Sequence, residues 1–147
     1  MATLTIPSGI EQLPHVNAFL RKSIPMAFKK RIHLIELAVE EILVNIFRYA
    51  YHNENGNAEV SCQFVKHNGT PYFVITIKDW GEPFDPFQVP LPDLSLDINN
   101  RPIGGLGVHL VRTAVDLYKY KRESDINVVE LFFQFLAEGM GNNNISI

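Results

Sequence analysis

The chain has 147 residues, of which 46% are hydrophobic and 20% charged, and its formal net charge at pH 7 is -3. This size is typical of one globular domain, so we predict a single domain over residues 1–147, with a frayed tail from about 138 to 147. The acidic balance argues against a surface that neutralises nucleic-acid phosphates, and no stretch approaches the roughly 20 apolar residues of a membrane helix. We therefore expect no direct contact with nucleic acid and none with a membrane.

The cysteine content and the N-terminal residues indicate which cellular compartment to expect. Cys62 is the only cysteine, which excludes an internal disulfide and a multi-cysteine metal cage and favours a buried structural thiol. The first residues lack the basic region and apolar stretch of a secretory signal. We expect a cytoplasmic protein.

The first half of the chain predicts a strand, two helices and a turn. Residues 2–8 are β-like, and the spacing Ser8-x-x-Glu11 is that of a capping box, which predicts a helix reaching about Leu20. The turn cluster 52–57 closes this half. Between them, from Met26 to Tyr51, apolar residues recur every three or four positions and predict one long helix; they are Phe28, Ile32, Ile35, Val39, Ile42, Ile46 and Tyr49.

The second half predicts a hairpin, a lid, a helix and two strands. Alternating apolar residues at 58–66 and 71–79 flank a turn at 67–70 and predict a β-hairpin. The proline-rich stretch 80–105 is too long for an ordinary connection, so we interpret it as a functional lid. A helix from near Leu106 to Leu117 and strands at about 118–123 and 127–136 follow. Helices on one side of a largely antiparallel sheet predict an α+β fold, a two-layer sandwich.

Glu41 and Asn45 project from the same side of the long helix, because they are four residues apart and displaced by about 6 Å along its axis. Together they offer a carboxylate that can accept a proton and an amide oxygen that can bind a hard cation. The alternative is a solvated helix face, which this pair by itself does not exclude.

Two glycine-containing segments could bind a nucleotide. In Asp79-x-Gly81 an aspartate ends an apolar strand beside a glycine that admits a flat ring, so its carboxylate could accept a hydrogen bond from an adenine amino group, although such a pair is most often only a turn. The segment Gly104-Gly105-Leu106-Gly107 opens a helix, where free amides favour phosphate. A flexible hinge is the alternative there, and the spacing matches neither a P-loop nor a dinucleotide-binding loop.

Taken in order, the motifs resemble those of a known superfamily. Glu41-x-x-x-Asn45, Asp79-x-Gly81-x-Pro83-Phe84-Asp85 and the segment 101–111 are similar to the motifs of the Bergerat-fold ATPases, which include histidine kinases, gyrases and heat-shock chaperones. Within that superfamily the chain most resembles the anti-sigma-factor serine kinases of bacterial partner-switching systems. The resemblance runs from about residue 4 to 135 and implies the Bergerat ATP-binding fold with ATP and Mg²⁺ as ligands.

The resemblance also implies a role for each motif residue. Glu41 is the general base, Asn45 binds Mg²⁺, and Asp79 binds the adenine amino group, with Gly81 beside the ring and Phe84 shaping the pocket. The lid hinge and the phosphate contacts fall on Gly104, Gly105, Leu106, Gly107, Val108 and His109.

Two arginines, one tyrosine and one histidine have less certain roles. Arg48 is a candidate phosphate contact, and an exposed helix arginine is the equal alternative. Arg101 is a weaker candidate for the terminal phosphate. Tyr49 stands where the resembling kinases commonly have a histidine, so a role that needs a titratable imidazole is lost. His109, at a helix N-terminus, is interpreted as a neutral donor or a packing residue.

The resemblance implies a serine/threonine protein kinase that acts as an anti-sigma factor or partner-switching regulator and transfers the ATP γ-phosphate to an antagonist protein. The expected partners are an anti-sigma-factor antagonist-like protein and a sigma factor, and the expected assembly is a homodimer with residues 4–24 as a contact surface. The alternative function is a nucleotide-dependent regulator that sequesters a partner with negligible catalysis. A detached chaperone- or gyrase-like ATPase is a third and less favoured interpretation.

Overall fold

A five-stranded antiparallel sheet organises the chain in a computed structural model that describes residues 1–88 and 105–135. Its strands lie in the order β1-β2-β3-β5-β4, and every neighbouring pair is antiparallel. The predicted hairpin is confirmed, because Asn68 and Gly69 join β2 to β3 with left-handed φ values of 51° and 81°, as a two-residue hairpin turn requires. The strands are β1 (Ala2–Pro7), β2 (Asn57–His67), β3 (Thr70–Asp79), β4 (Leu117–Glu123) and β5 (Ile126–Gln134).

Within the described residues, three α-helices accompany this sheet: α1 (Leu13–Ser23), α2 (Ile32–Asn45) and α3 (Gly105–Ala114). The single helix predicted over residues 26–51 is one uninterrupted helical segment, but its hydrogen-bonding pattern changes along its length. It begins with a 3-10 segment, Met26–Arg31, and after α2 ends with a π-helical turn, Ile46–Ala50. Two further 3-10 turns lie at Ile10–Gln12 and Pro86–Gln88. Helix α2 packs against both α1 and α3.

Alternate residues of the central strands form an inner face, which is the side of the sheet that packs on the helices. The register places them in rows across β2, β3 and β5, and these residues are buried except for Phe64, which is 67% exposed at the β2 end of its row. This arrangement confirms the predicted α+β fold. Cys62 lies in one of these rows, and burial raises the pKa of its thiol to about 11, in agreement with a structural role. The inner-face residues include Val60, Cys62, Phe73, Ile75, Ile77, Val129, Leu131 and Phe133.

Two sequence predictions about helix ends were wrong. The capping box does not form, because the residue before the first helical turn is Gly9, with no side-chain cap. The Ser8 hydroxyl instead donates to the Glu54 carbonyl at 2.9 Å and accepts from the Gly56 amide at 3.2 Å, which ties the end of β1 to the loop before β2. The helix predicted to continue to Leu117 ends earlier, as described next.

A cation from another element caps the end of helix α3 at Ala114. Arg31 donates from Nη2 to the Ala114 carbonyl at 2.8 Å, satisfying one of the carbonyls that a helix end leaves unpaired. Leu117 then begins β4 and pairs with Phe132. The predicted tail at 138–147 and most of the predicted lid lie outside the described residues.

Candidate nucleotide-binding site

Asn45 stands out in the buried helix α2, because its side chain is fully buried (0% exposed) and neither its Nδ2 nor its Oδ1 has a hydrogen-bond partner among the residues that the structure describes. Leaving a buried polar group unpaired costs about 1–3 kcal/mol. A fully buried amide oxygen without a donor is a suitable ligand for a hard cation such as Mg²⁺, which takes few protein ligands and keeps several waters. The residue present therefore fits the metal that the sequence implies.

The helix changes type immediately after Asn45. The Tyr51 amide donates to the Ile46 carbonyl at 3.1 Å, a bond that spans five residues and defines a π-helical turn. Such turns insert one extra residue and recur at functional sites. Arg48 is half-buried within this turn, and its guanidinium lies 6.0 Å from the centroid of the Tyr49 ring. The Tyr49 ring in turn packs on Phe84, with centroids 5.3 Å apart.

The catalytic candidate Glu41 meets the glycine segment at the start of α3. A Cβ atom at Gly107 would overlap the Glu41 carboxylate, so the Glu41 side chain lies directly against the backbone of Gly107 in the first turn of α3. Glu41 is half-buried, and burial raises the pKa of its carboxyl group, as does the nearby charge of Glu40, while Arg48 opposes the shift. A carboxyl group with a raised pKa is a stronger proton acceptor than an ordinary glutamate.

The rest of the glycine segment is described only in part. Gly105 and Leu106 begin the helical backbone of α3, and the side chain of Val108 is fully buried in the core. The side chain of His109 is exposed, which removes its packing alternative. Gly104 and Arg101 lie outside the described residues.

Asp79 ends β3 on the inner face and is almost fully buried, at 1% exposed. Its Oδ1 accepts two hydrogen bonds, from the Gly81 amide at 3.0 Å and from Asn127 Nδ2 at 2.9 Å. Burial raises the pKa of the Asp79 carboxyl group, while these two donors and the charge of Arg122 lower it. Its Oδ2 accepts no hydrogen bond from the described residues, so one carboxylate oxygen remains to accept from a ligand amine.

Hydrogen bonds from three directions hold the turn that follows Asp79. Glu82 donates its amide to the Ala50 carbonyl at 3.0 Å, and the Trp80 amide donates to the Tyr51 hydroxyl at 2.8 Å. Arg122 donates from Nη1 to the Gly81 carbonyl at 2.9 Å. The end of the long helix and strand β4 therefore hold this turn in place.

Gly81 lies where no side chain fits. A Cβ atom there would be 2.6 Å from the Ala50 carbonyl oxygen, which belongs to the backbone of the π-helical turn and cannot move aside as a side chain can. Close packing against Ala50 therefore requires glycine at position 81, independently of its predicted place beside a nucleotide base.

Gly81→Ala should lower the free energy of unfolding by about 1–3 kcal/mol, because the added methyl group forces the turn away from Ala50. It should also weaken ATP binding, since the turn orients Asp79. Urea denaturation measures the first effect and an ATP titration the second. Gly69→Asn is the control, because nothing lies within 4 Å of a Cβ there and asparagine tolerates its left-handed φ of 81°. Equal stability of Gly81→Ala and the parent chain would contradict the steric argument.

Sequence reasoning missed the residues that support Asp79 from the neighbouring strands, chiefly Asn127, Tyr120 and Arg122. One signal was available. Asn127 is a polar residue at the first inward position of β5, followed on the same face by Val129 and Leu131. A polar residue that begins a buried apolar row must find a partner, and the sheet register supplies Asp79 directly opposite.

The three motifs thus converge along one side of the long helix. Gly107 meets Glu41, Phe84 packs on Tyr49, and Gly81 lies on Ala50. These contacts bring together the segments that carry the buried acceptor Asp79, the amide of Asn45 and the carboxylate of Glu41, as expected of an ATP-binding, kinase-like ATPase domain. A family model described as the histidine kinase-like ATPase domain matches residues 6–133, and the chain belongs to this family.

A search of curated proteins found no significant match. Among the residues that the structure describes, no helix is long and apolar enough to cross a membrane. Within the same residues, no group of three or more histidine, cysteine, aspartate or glutamate side chains could hold a metal ion.

Proposed function

We propose that the protein is a serine/threonine protein kinase of the partner-switching type, which regulates an anti-sigma pathway by phosphorylating an antagonist-like protein. The observation that carries the proposal is the half-buried Glu41, whose carboxyl pKa is raised, placed against the first turn of α3 and one helical turn from the unpaired Asn45. An ATPase-type pocket that also holds a strong proton acceptor can deprotonate an incoming hydroxyl group.

Each part of the site contributes one function in this proposal. Asp79 accepts a hydrogen bond from the adenine amino group, and the free amides of the first turn of α3 bind phosphate oxygens. Asn45 would hold Mg²⁺, which neutralises phosphate charge when it is bound. Glu41 accepts the proton of the serine hydroxyl. The serine oxygen then bonds to the γ-phosphorus, the bond from that phosphorus to the β–γ bridging oxygen breaks, and ADP leaves.

Nucleotide binding and phosphate transfer test the proposal in sequence. Millimolar ATP with Mg²⁺ should raise the free energy of unfolding, by about 2.7 kcal/mol at a hundredfold excess over Kd. The chain should then move label from γ-labelled ATP to a serine or threonine of an antagonist-like protein encoded beside it. The absence of any Mg-dependent stabilisation by ATP would overturn the proposal at its first step.

A second candidate is a regulator that binds ATP and sequesters a partner with negligible catalysis. The observation that favours it is Tyr49, which packs on Phe84 where the resembling kinases commonly have a histidine. A tyrosine can still donate to a phosphate oxygen but cannot exchange protons near neutral pH. Mg-dependent ATP binding without transfer to any antagonist-like protein would favour this candidate over the kinase.

We also propose a homodimer that uses residues 4–24. Strand β1 is an edge of the described sheet, and an unpaired strand edge can pair with a second chain. Ile10, in the same segment, is 67% exposed. Sedimentation at several concentrations tests this proposal, and Ile10→Lys should shift the distribution toward monomer. A monomer at all concentrations would contradict it.

A further inference from the structure

Asn127 is the most completely bonded polar side chain near the site. It is 1% exposed and lies on β5 directly opposite Asp79. Its Nδ2 donates to Asp79 Oδ1 at 2.9 Å and to the Glu82 carbonyl at 2.8 Å. Its Oδ1 accepts from the Tyr120 hydroxyl at 2.6 Å and from the Phe84 amide at 3.2 Å. All four hydrogen-bonding positions of the amide are therefore used.

Backbone groups determine which way this amide points. The atom near the Phe84 amide must be the oxygen, because a backbone N–H can only donate. The atom near the Glu82 carbonyl must be the nitrogen, because a carbonyl can only accept. The nitrogen is then fixed toward Asp79, and Tyr120 is fixed as the donor to the oxygen. No flipped amide satisfies these contacts.

This fixed amide controls how Asp79 meets a ligand. Asp79 Oδ1 is occupied by the donors of Asn127 and Gly81, so the carboxylate cannot rotate without losing one of them. Burial raises the pKa of the Asp79 carboxyl group, whereas the two donors oppose that shift and favour the ionised form, which can only accept hydrogen bonds. The free Oδ2 therefore suits a purine with a 6-amino group and repels one with a 6-oxo group.

We propose that Asn127 is a positioning residue that sets the base preference of the site, selecting 6-amino over 6-oxo purine nucleotides by holding Asp79 as a fixed acceptor. Because both Nδ2 hydrogens are already donated within the protein, Asn127 acts through Asp79 and has none left for the base. This inference rests on the proposed function only in that the site binds ATP, and it holds for the kinase and for the non-catalytic regulator.

Asn127→Asp changes the Nδ2 donor that faces Asp79 and keeps the Oδ1 acceptor. The new carboxyl group keeps an oxygen for Tyr120 and Phe84, but it can donate to Asp79 only when it carries a proton. Two carboxyl groups that share a site hold one proton over a raised pH range. In acid the variant should therefore keep the donor to Asp79, although not the second donor to the Glu82 carbonyl, and it should lose the donor to Asp79 as the pH rises.

The other ionisable groups around this pair are Tyr51, at the end of the π-helical turn, Tyr120 and Arg122 on β4, and Asp85 in the turn. Burial raises the pKa of both tyrosines, so they stay neutral below their ordinary range. The new carboxyl group thus introduces the titration that distinguishes the variant from the parent chain.

The experiment measures Kd for ATP and for inosine triphosphate, the 6-oxo analogue, by calorimetry from about pH 5.5 to about pH 8.5. The parent chain should prefer ATP by roughly 10- to 100-fold. Asn127→Asp should approach the ATP affinity of the parent chain at the acid end and lose roughly tenfold or more at the alkaline end. Dividing by the parent value at each pH removes the titration of the nucleotide itself. Asn68→Asp makes the same charge change in the exposed hairpin turn and should match the parent chain throughout.

A loss of ATP affinity that is equal at every pH and leaves the preference for ATP unchanged would overturn the inference, because a merely structural defect behaves that way. So would parent-like binding at every pH. Asn127→Ser covers the case in which Asn127→Asp does not fold: it shortens the side chain and should reduce the ATP preference about tenfold without a pH transition. An unchanged preference in Asn127→Ser would also overturn it. A parent chain that binds neither nucleotide would overturn the proposed function as well, which separates the two failures.

Discussion

Glu41→Gln is expected to slow phosphate transfer by roughly 10²- to 10⁴-fold, the usual contribution of a positioned general base. Glutamine keeps the size of the side chain that lies against Gly107, so the contact between α2 and α3 should persist. It cannot take the proton of an attacking hydroxyl group. Affinity for ATP should change little, because Asp79, Asn45 and the first turn of α3 are untouched. Initial rates of label transfer, with Kd from an ATP titration, measure the two effects separately.

Glu40→Gln is the matched control, since it removes a carboxylate from the adjacent position. Burial and the charge of Glu40 raise the pKa of the Glu41 carboxyl group, so the transfer rate should fall as the pH drops through a range above that of an ordinary glutamate. Removing the Glu40 charge lowers this pKa, and the acid limb of the rate profile should move to lower pH. Undiminished transfer by Glu41→Gln would refute the catalytic assignment.

The elements that the sequence predicted correctly depend on local information. Alternation of apolar residues located β2 and β3, and the Asn68-Gly69 pair fixed their turn because these residues tolerate left-handed backbone. The three- and four-residue spacing located the long helix. Its division into 3-10, α and π segments depends on how its ends meet the sheet and the turn after β3, and no local pattern carries that information.

The failures share a cause, which is competition from residues distant in the sequence. The Ser8 hydroxyl was expected to cap a helix, but it bonds to the backbone at Glu54 and Gly56. The end of α3 is capped by Arg31, far from it in the chain, and the residues that follow pair with β5. Ser-x-x-Glu spacing and apolar periodicity could not reveal these partners, since both arise only when the sheet and helices assemble.

The motif residues of the candidate site could be predicted from the sequence. The contacts that arrange them could be predicted only in part. Glu41, Asn45 and Asp79 were identified from their order and spacing, and the structure brings their segments together through contacts at Gly107 and Gly81. The support around Asp79 was not foreseen. Asn127 has no motif of its own, and its partnership with Asp79 follows from the pairing of β3 with β5, a register that single-strand patterns do not specify.

The two buried asparagines should respond to alanine in opposite ways. Asn45 is 0% exposed with both polar atoms unpaired, whereas Asn127 is 1% exposed with all of its positions bonded. Asn45→Ala removes an unpaired buried amide and places a better helix former in α2, so without nucleotide it should raise the free energy of unfolding by about 1 kcal/mol. Asn127→Ala leaves Asp79 and Tyr120 without partners and should lower it by about 3 kcal/mol.

With ATP and Mg²⁺ present, the parent chain should become more stable than Asn45→Ala. The parent chain should gain about 2.7 kcal/mol at a hundredfold excess of nucleotide over Kd, and Asn45→Ala should lose most of the Mg-dependent part of this gain. Urea denaturation with ATP, with and without Mg²⁺, measures both quantities in one series. A variant that is less stable than the parent without nucleotide would mean that Asn45 has a structural partner. The combination of higher intrinsic stability and lost Mg dependence would instead mark Asn45 as a residue kept unpaired for its ligand, at a cost to the fold.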